Sequence, residues 1–192
     1  MKNFLTVITL GLTIVVHGQS IPNYVPTNGL IGWWQFDNSY NDLSSNARNA
    51  IYVSGNNGSI TFCDDRNGNP NGAIEFQSTP SWNSAGPKLK VAYDANMNIS
   101  SEVSISVWSY LDSSSYVSEI INKAPDNINN AFGIRYQQNS SEIRFYQRDG
   151  SVINDLNSGT STTYSNWQHI VVTRDASTQK NVHKWSDCGL NE

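Results

Sequence analysis

The sequence predicts an all-β protein folded as an antiparallel β-sandwich, and three observations support this prediction. Apolar and aromatic residues form short segments of strand length, separated by polar loops rich in Gly, Asn and Ser. One of these segments, 103–111, alternates with a period of two, a spacing that a helix does not produce. No strongly amphipathic helical pattern lies between the segments. Short, regularly spaced strands of this kind are typical of sandwiches.

The stretch 29–50 is expected to organise the fold. Leu30, Trp33, Trp34 and Phe36 form an apolar run of strand length, which predicts a first strand that must be covered by a second layer. The run ends at a loop rich in Asp, Asn and Ser, whose side chains bond nearby backbone groups in turns.

The remaining chain predicts nine further strands. In 103–111, the alternation places Val103, Ile105, Val107 and Leu111 on one face. In 143–148, the alternation places Ile143 and Phe145 on one face and Arg144, Tyr146 and Arg148 on the other. The predicted strands are 51–54, 59–63, 73–77, 89–93, 103–111, 119–123, 132–137, 143–148 and 168–174.

The N-terminus predicts a secretory signal peptide. Lys2 supplies a positive charge, 4–16 is an apolar core, and small residues precede a cleavage site before Gln19. An uncleaved anchor is the alternative. Cleavage predicts a secreted or cell-surface protein in which 19–28, containing Pro22 and Pro26, forms an extended leader.

The composition narrows the range of partners. The chain has 192 residues, suited to one domain, and its net charge of -4 gives no electrostatic argument for nucleic acid or an anionic membrane. Only 15% of its residues are charged, which is unlike a helical protein.

Five stretches, taken in order, resemble laminin G-like domains of the concanavalin A-like lectin/glucanase superfamily. They are GLIGWWQFDN, DLSSNARNA, DRNGNPNGAIEF, VSISVWSYL with IINKA, and WQHIVVTRD. The resemblance covers 29–180 and implies a jelly roll of two curved antiparallel sheets. It implies a carbohydrate-binding or adhesive module, and leaves open a spacer domain of a larger surface protein or a fragment of a glycoside hydrolase.

The sequence favours a non-catalytic domain. A glycosidase needs two carboxylates flanking the scissile bond, and hydrolases of this fold carry acidic residues at alternate positions of one strand. That pattern does not occur here, where Glu75, Glu119 and Glu142 stand apart. His169 has no Ser or Cys partner suggested by its spacing, so a structural role is expected.

Carbohydrate binding is expected to use aromatic faces with nearby hydrogen-bonding groups. Trp82 lies in a Pro/Gly-rich loop, whereas the other candidates lie on the less apolar strand faces; the alternative is that each aromatic ring packs between the sheets. The candidates are Trp82, Tyr110, Arg135, Arg144 and Tyr146. Trp33, Trp34, Trp108 and Trp167 are expected in the core or at its edge.

The resemblance also implies a structural calcium ion near the first loop. Asp37, Asp42 and Asn46 are the oxygen donors available there. A second loop, Asp65-x-Asn67-x-Asn69, alternates like an EF-hand, but Pro70 stands where that loop needs Gly, which predicts a turn. Turn chemistry without a metal is the alternative at both loops.

The C-terminal residues 181–192 are expected to be a frameshifted tail. The family continues here with a strand and an Asn-Gly turn, whereas NVHKWSDCGLNE has no strand pattern. A one-nucleotide shift permits Met-Tyr-Ile-Asn-Gly-Val-Ile, with the Gly forced by the codon of Trp185. The coding DNA tests this expectation, under which the sandwich lacks its closing strands. A disulfide between Cys63 and Cys188 is not expected, because Cys188 belongs to this tail.

Overall fold

The computed structural model describes residues 20–78, 86–98, 102–112, 117–123, 131–137, 142–149, 152–174 and 181–186. Eleven strands lie in these ranges, together with a short 3-10 helix, Ala95–Met97. The strands are β1 (Ala50–Val53), β2 (Ser59–Cys63), β3 (Ala73–Gln77), β4 (Lys88–Val91), β5 (Val103–Tyr110), β6 (Ser118–Lys123), β7 (Ala131–Tyr136), β8 (Glu142–Asp149), β9 (Val152–Ser161), β10 (Trp167–Arg174) and β11 (Asn181–Ser186). The described chain contains no helix long and apolar enough to cross a membrane.

All the strand pairs are antiparallel. The largest sheet has four strands in the order β6-β7-β8-β9, and a second has three in the order β11-β10-β5. Two smaller sheets pair β1 with β4 and β2 with β3. The predicted strand regions from 51 to 174 are confirmed, with bounds that shift by one or two residues at most of them.

The core lies between the four-stranded and the three-stranded sheets. Ile134 on β7, Ile143 on β8, and Ile170 and Val172 on β10 are fully buried in one cluster. Ile105 and Val107 on β5 pack against it, as their alternation predicts. Apolar faces of two sheets buried against each other make a sandwich, so the predicted fold class is confirmed.

One polar contact crosses this core. The hydroxyl of Tyr136 on β7 donates to Ser109 Oγ on β5 over 3.1 Å, so a buried polar group gains a partner on the facing sheet. Burial raises the pKa of Tyr136, and the bond to Ser109 offsets this only in part.

The predicted first strand at 30–36 is wrong. The structure has only an isolated bridge between Trp34 and Asp42 there, and Phe36 has a positive φ of 60°. The amide of Trp33 donates to the Asp42 carboxylate instead of to a strand, and the side chain of Asn46 donates to the carbonyls of Leu30 and Ile31. Side chains therefore make the hydrogen bonds to these backbone groups that a neighbouring strand was expected to make.

Two strands were not predicted. β9 has the polar sequence VINDLNSGTS and pairs with β8, with Tyr146 opposite Asp155. β11 pairs with β10, with Thr173 opposite Asn181 and Gln168 opposite Ser186. The expectation that 181–192 contains no strand is therefore corrected for 181–186.

Candidate functional site

The outer face of the four-stranded sheet carries two rows of polar side chains, here called the polar face. Register places Glu119, Arg135, Arg144 and Asn157 in the first row across the four strands. The second row is Asn122, Gly133, Tyr146 and Asp155. Three predicted carbohydrate-binding residues, Arg135, Arg144 and Tyr146, are thus brought together on one surface.

Tyr146 lies at the centre of the polar face and is only 7% exposed. Its ring lies over Gly133, where an added Cβ would approach within 2.4 Å of the ring. Its hydroxyl accepts from Asn122 Nδ2 at 2.8 Å and donates to the carboxylate of Glu119 at 3.3 Å. The ring therefore belongs to a closed arrangement, although it points away from the core.

The arginines of the polar face are held by their neighbours. The guanidinium of Arg135 stacks over the Tyr146 ring, 4.9 Å from its centroid, and lies 3.6 Å from Glu119. Arg144 forms a salt bridge with Asp155. These pairs neutralise the charges locally and cover the ring face that a sugar would use.

The outer face of the three-stranded sheet carries two ring pairs, here called the aromatic face. Tyr110 on β5 lies opposite Trp167 on β10, with centroids 5.7 Å apart and planes at 62°. Trp108 lies opposite His169, with centroids 4.8 Å apart and planes at 10°. Aromatic pairs favour these edge-to-face and stacked arrangements.

Parts of the aromatic face are open to solvent. Tyr110 is 44% exposed, and Trp108, Trp167 and His169 are partly exposed. The inward positions of the same strands hold the core residues Ile170 and Val172, so these rings lie outside the core. The prediction that Trp108 and Trp167 lie in the core or at its edge is therefore wrong, because alternation turns their positions outward.

Polar groups converge on the aromatic face. Ser106 Oγ lies 2.8 Å from Nε2 of His169, so the structure supplies the serine neighbour that sequence spacing did not suggest. Arg66, from the loop between β2 and β3, lies over the Trp108 ring at 4.5 Å from its centroid. Burial and the positive charge of Arg66 lower the pKa of His169 below 6.5, which favours the neutral imidazole at pH 7.

The loop after Trp34 is organised by Asp42, which is 5% exposed. Its Oδ1 accepts from the amides of Trp33 at 2.8 Å and Ser44 at 2.9 Å. Its Oδ2 accepts from the Ser44 hydroxyl at 2.8 Å and the Arg48 amide at 2.9 Å. Burial alone would raise the pKa of Asp42, but these hydrogen bonds outweigh it and hold the pKa below 3.8.

A family comparison covers the part of the chain that contains both faces. The model described as the concanavalin A-like lectin/glucanases superfamily, for laminin G-like domains, matches residues 83–183 of the 192. The match covers most of the two sheets that enclose the core. The chain belongs to this family. No match was found among curated proteins or among solved structures.

The three predicted calcium ligands of this laminin G-like domain lie in and just before the loop that Asp42 organises. Both carboxylate oxygens of Asp42 already accept two hydrogen bonds, and the side-chain nitrogen of Asn46 faces the carbonyls of Leu30 and Ile31. Asp37 is exposed on the preceding turn. Within the described ranges, no group of three or more His, Cys, Asp or Glu residues could hold a metal.

Calcium binding by Asp37, Asp42 and Asn46 stays a prediction, and a chelator tests it. A bound ion stabilises the folded state by mass action, so its removal should lower the melting temperature. An unchanged melting curve would contradict the prediction that the folded domain binds calcium. The second loop is the turn that the sequence predicts, since Asp65 Oδ1 accepts from the amides of Asn67 and Asn69.

An ion pair that sequence reasoning missed fixes the same loop of the laminin G-like domain. Arg48 donates through Nε and Nη2 to Asp94 at 3.2 and 3.0 Å, and through Nη1 to the carbonyl of Ile31 at 2.6 Å. Its side chain is only 9% exposed. The partners lie 46 residues apart in the sequence, and no local pattern pairs them.

The other candidates have these positions in the laminin G-like domain. Glu75 accepts from Gln77 Nε2 at 3.0 Å in an exposed hairpin, and Glu119 belongs to the polar face. Cys63 carries a free thiol whose pKa is raised, first by burial. Trp82, Cys188 and the signal segment 1–18 lie outside the described residues.

Proposed function

We propose that this laminin G-like domain is an exported, non-catalytic module that binds carbohydrate through its aromatic face. The observation that carries the proposal is the outward Tyr110–Trp167 pair beside the Trp108–His169 pair, where Arg66 lies over the Trp108 ring and Ser106 adds a hydroxyl. Sugars bind proteins by placing apolar C–H surfaces against aromatic rings while nearby polar groups bond their hydroxyls.

The arrangement along the strands indicates the size of the ligand. The two ring pairs are two residues apart on β5, a distance of about 7 Å along an extended strand. A ligand that contacts the Tyr110–Trp167 pair and the polar groups around the Trp108–His169 pair is therefore an oligosaccharide rather than a single sugar. Ser106, which is exposed and lies two residues before Trp108 on β5, supplies a hydroxyl beside His169.

The test compares two tyrosines of equal exposure. Tyr110 and Tyr52 are both 44% exposed, but Tyr52 lies on β1, which belongs to a different sheet from the aromatic face. We expect a glycan array to give specific binders, and Tyr110→Ala to weaken binding to them by about tenfold, the effect of losing one aromatic contact. Tyr52→Ala should bind like the unaltered protein.

Other outcomes have a definite meaning. Binding that survives Tyr110→Ala but is lost in Arg144→Ala would move the site to the polar face. A folded protein that binds no glycan would favour a spacer domain, and hydrolysis of β-glucans would favour the hydrolase alternative. Export is tested separately, since the N-terminal sequence of the exported protein should begin at or near Gln19.

A further inference from the structure

The charge of Arg66 is the feature of the aromatic face that the proposed function does not use. In the described part of the chain, Arg66 has no salt bridge; it contacts the Trp108 ring and donates to Asn67 Oδ1 at 3.3 Å. The neighbouring carboxylate of Asp65 is occupied by donors from Asn67 and Asn69. Asp65 interacts with Arg66 only through space, and within the described residues no carboxylate is hydrogen-bonded to the Arg66 guanidinium.

The guanidinium of Arg66 also keeps donors available. One donor reaches Asn67, and the others belong to an exposed side chain above the Trp108 ring. A planar guanidinium matches a carboxylate, which it can bind through two parallel hydrogen bonds.

We propose that the aromatic face selects acidic oligosaccharides, with Arg66 binding a sugar carboxylate and the Tyr110–Trp167 pair contacting a sugar ring. This inference rests on the proposed function and specifies its ligand class. The two contact points are separated by about two strand residues, or about 7 Å, so both can be reached by one short oligosaccharide.

The polar face is a weaker candidate for the same ligand. Its arginines, Arg135 and Arg144, lie directly opposite each other, but each has a carboxylate partner, Glu119 and Asp155 respectively. An acidic ligand would first have to displace these partners and lift Arg135 from the Tyr146 ring. Arg66 can bind a carboxylate without breaking a salt bridge of the described residues.

The experiment measures binding of the purified chain to oligosaccharides of galacturonate, mannuronate and glucuronate, each beside its carboxyl-reduced counterpart. We expect an acidic form to bind more tightly than its reduced form. Arg66→Gln should lower the affinity for the acidic form by about 10- to 100-fold, since it removes a charge-assisted hydrogen-bond pair, and leave the reduced form unaffected.

Two further variants control this result. Lys88→Gln removes one positive charge from an exposed position on β4, so it should leave acidic-sugar binding unchanged if the effect is local to Arg66. Arg66→Lys keeps the charge but loses the planar guanidinium. Its affinity for the acidic form should lie between those of the unaltered protein and Arg66→Gln. Added salt should weaken binding of the acidic form alone.

The outcomes separate this inference from the proposed function. Equal binding of acidic and reduced forms, with both lost in Tyr110→Ala, would overturn the role of Arg66 and keep the aromatic site. Equal losses from Arg66→Gln with both ligands would also overturn it, because the arginine would then act through the fold. Absence of binding to every acidic and reduced form, and to the array, would overturn both.

Discussion

The polar face and the aromatic face are outer faces of the same sandwich, and both combine rings with arginine. On the polar face, Tyr146 is 7% exposed, and Arg135 covers its ring. On the aromatic face, Tyr110 is 44% exposed, and Arg66 stands over Trp108 without a salt bridge in the described chain. Similar residue types therefore give a closed surface on one sheet and an open surface on the other.

The difference comes from the cross-strand neighbours. Gly133 opposite Tyr146 lets the tyrosine ring lie flat on the sheet, where Arg135, Asn122 and Glu119 contact it. Tyr110 lies opposite Trp167, a second large ring that contacts it edge to face, and Tyr110 keeps 44% of its surface exposed. The partner opposite a tyrosine decides whether it stabilises the fold or remains available to a ligand.

The largest expected contrast is between alanine substitutions of these two tyrosines. Tyr146→Ala should lower the free energy of unfolding by about 3 kcal/mol, because it removes a nearly buried ring. Tyr110→Ala should cost about 1 kcal/mol, the scale of one aromatic pair. Urea denaturation of both variants measures the difference, and equal losses would contradict the contrast.

Tyr146→Phe sharpens that result. It keeps the ring over Gly133 but removes the hydroxyl that bonds Asn122 and Glu119, so we expect a loss of about 1 kcal/mol. A loss as large as that of Tyr146→Ala would mean that the hydroxyl network, rather than the packed ring, holds the polar face together.

Adding a methyl group at Gly133 should break the closed surface. The new Cβ would lie 2.4 Å from the Tyr146 ring, so the ring must move, at a cost of about 2 kcal/mol. Gly86→Ala is the matched control, since its Cβ would meet nothing nearer than 3.7 Å. If both variants unfold at the same urea concentration, the ring does not depend on the glycine.

The smallest expected effect is a pH dependence confined to the aromatic face. His169 has a pKa below its usual 6.5, through burial and then Arg66, so the folded state binds its proton less readily than the unfolded chain. The stability that neutral His169 contributes to the folded state is present above pH 6.5 and is lost as the pH falls through the pKa of the folded state. His169→Gln should reduce the drop in melting temperature between about pH 7.5 and pH 5. An unchanged drop would exclude His169 as its source.

The sequence predicted the parts of the fold that alternation controls. In β5 and β8, inward residues such as Val107 and Phe145 and outward residues such as Trp108 and Arg144 follow the period of two. β9 carries few apolar residues, and its strand depends on pairing with β8, which only the folded chain provides. The prediction of a strand at 30–36 was wrong because side chains of Asp42 and Asn46 form hydrogen bonds with the backbone of this segment, in place of a neighbouring strand.

The candidate site was predicted in part. Residue type identified Arg135, Arg144 and Tyr146, which do meet on one surface, but it placed them with Tyr110, which lies on the other sheet. Arg66 was missed because its contact with Trp108 joins positions 42 residues apart in sequence, from a loop to a strand. Long-range contacts of this kind leave no periodic signal.

The match between Gly133 and Tyr146 also protects the chain against mispairing while it folds. A slip of one residue between β7 and β8 would place Arg144 opposite Ile134 or Tyr136, whose side chains lie in the interior. A slip of two would keep the alternation but place Tyr146 opposite Ala131 or Arg135, each of which has a Cβ where the ring needs space. One glycine thus distinguishes the native hairpin from competitors with the same hydrophobic pattern.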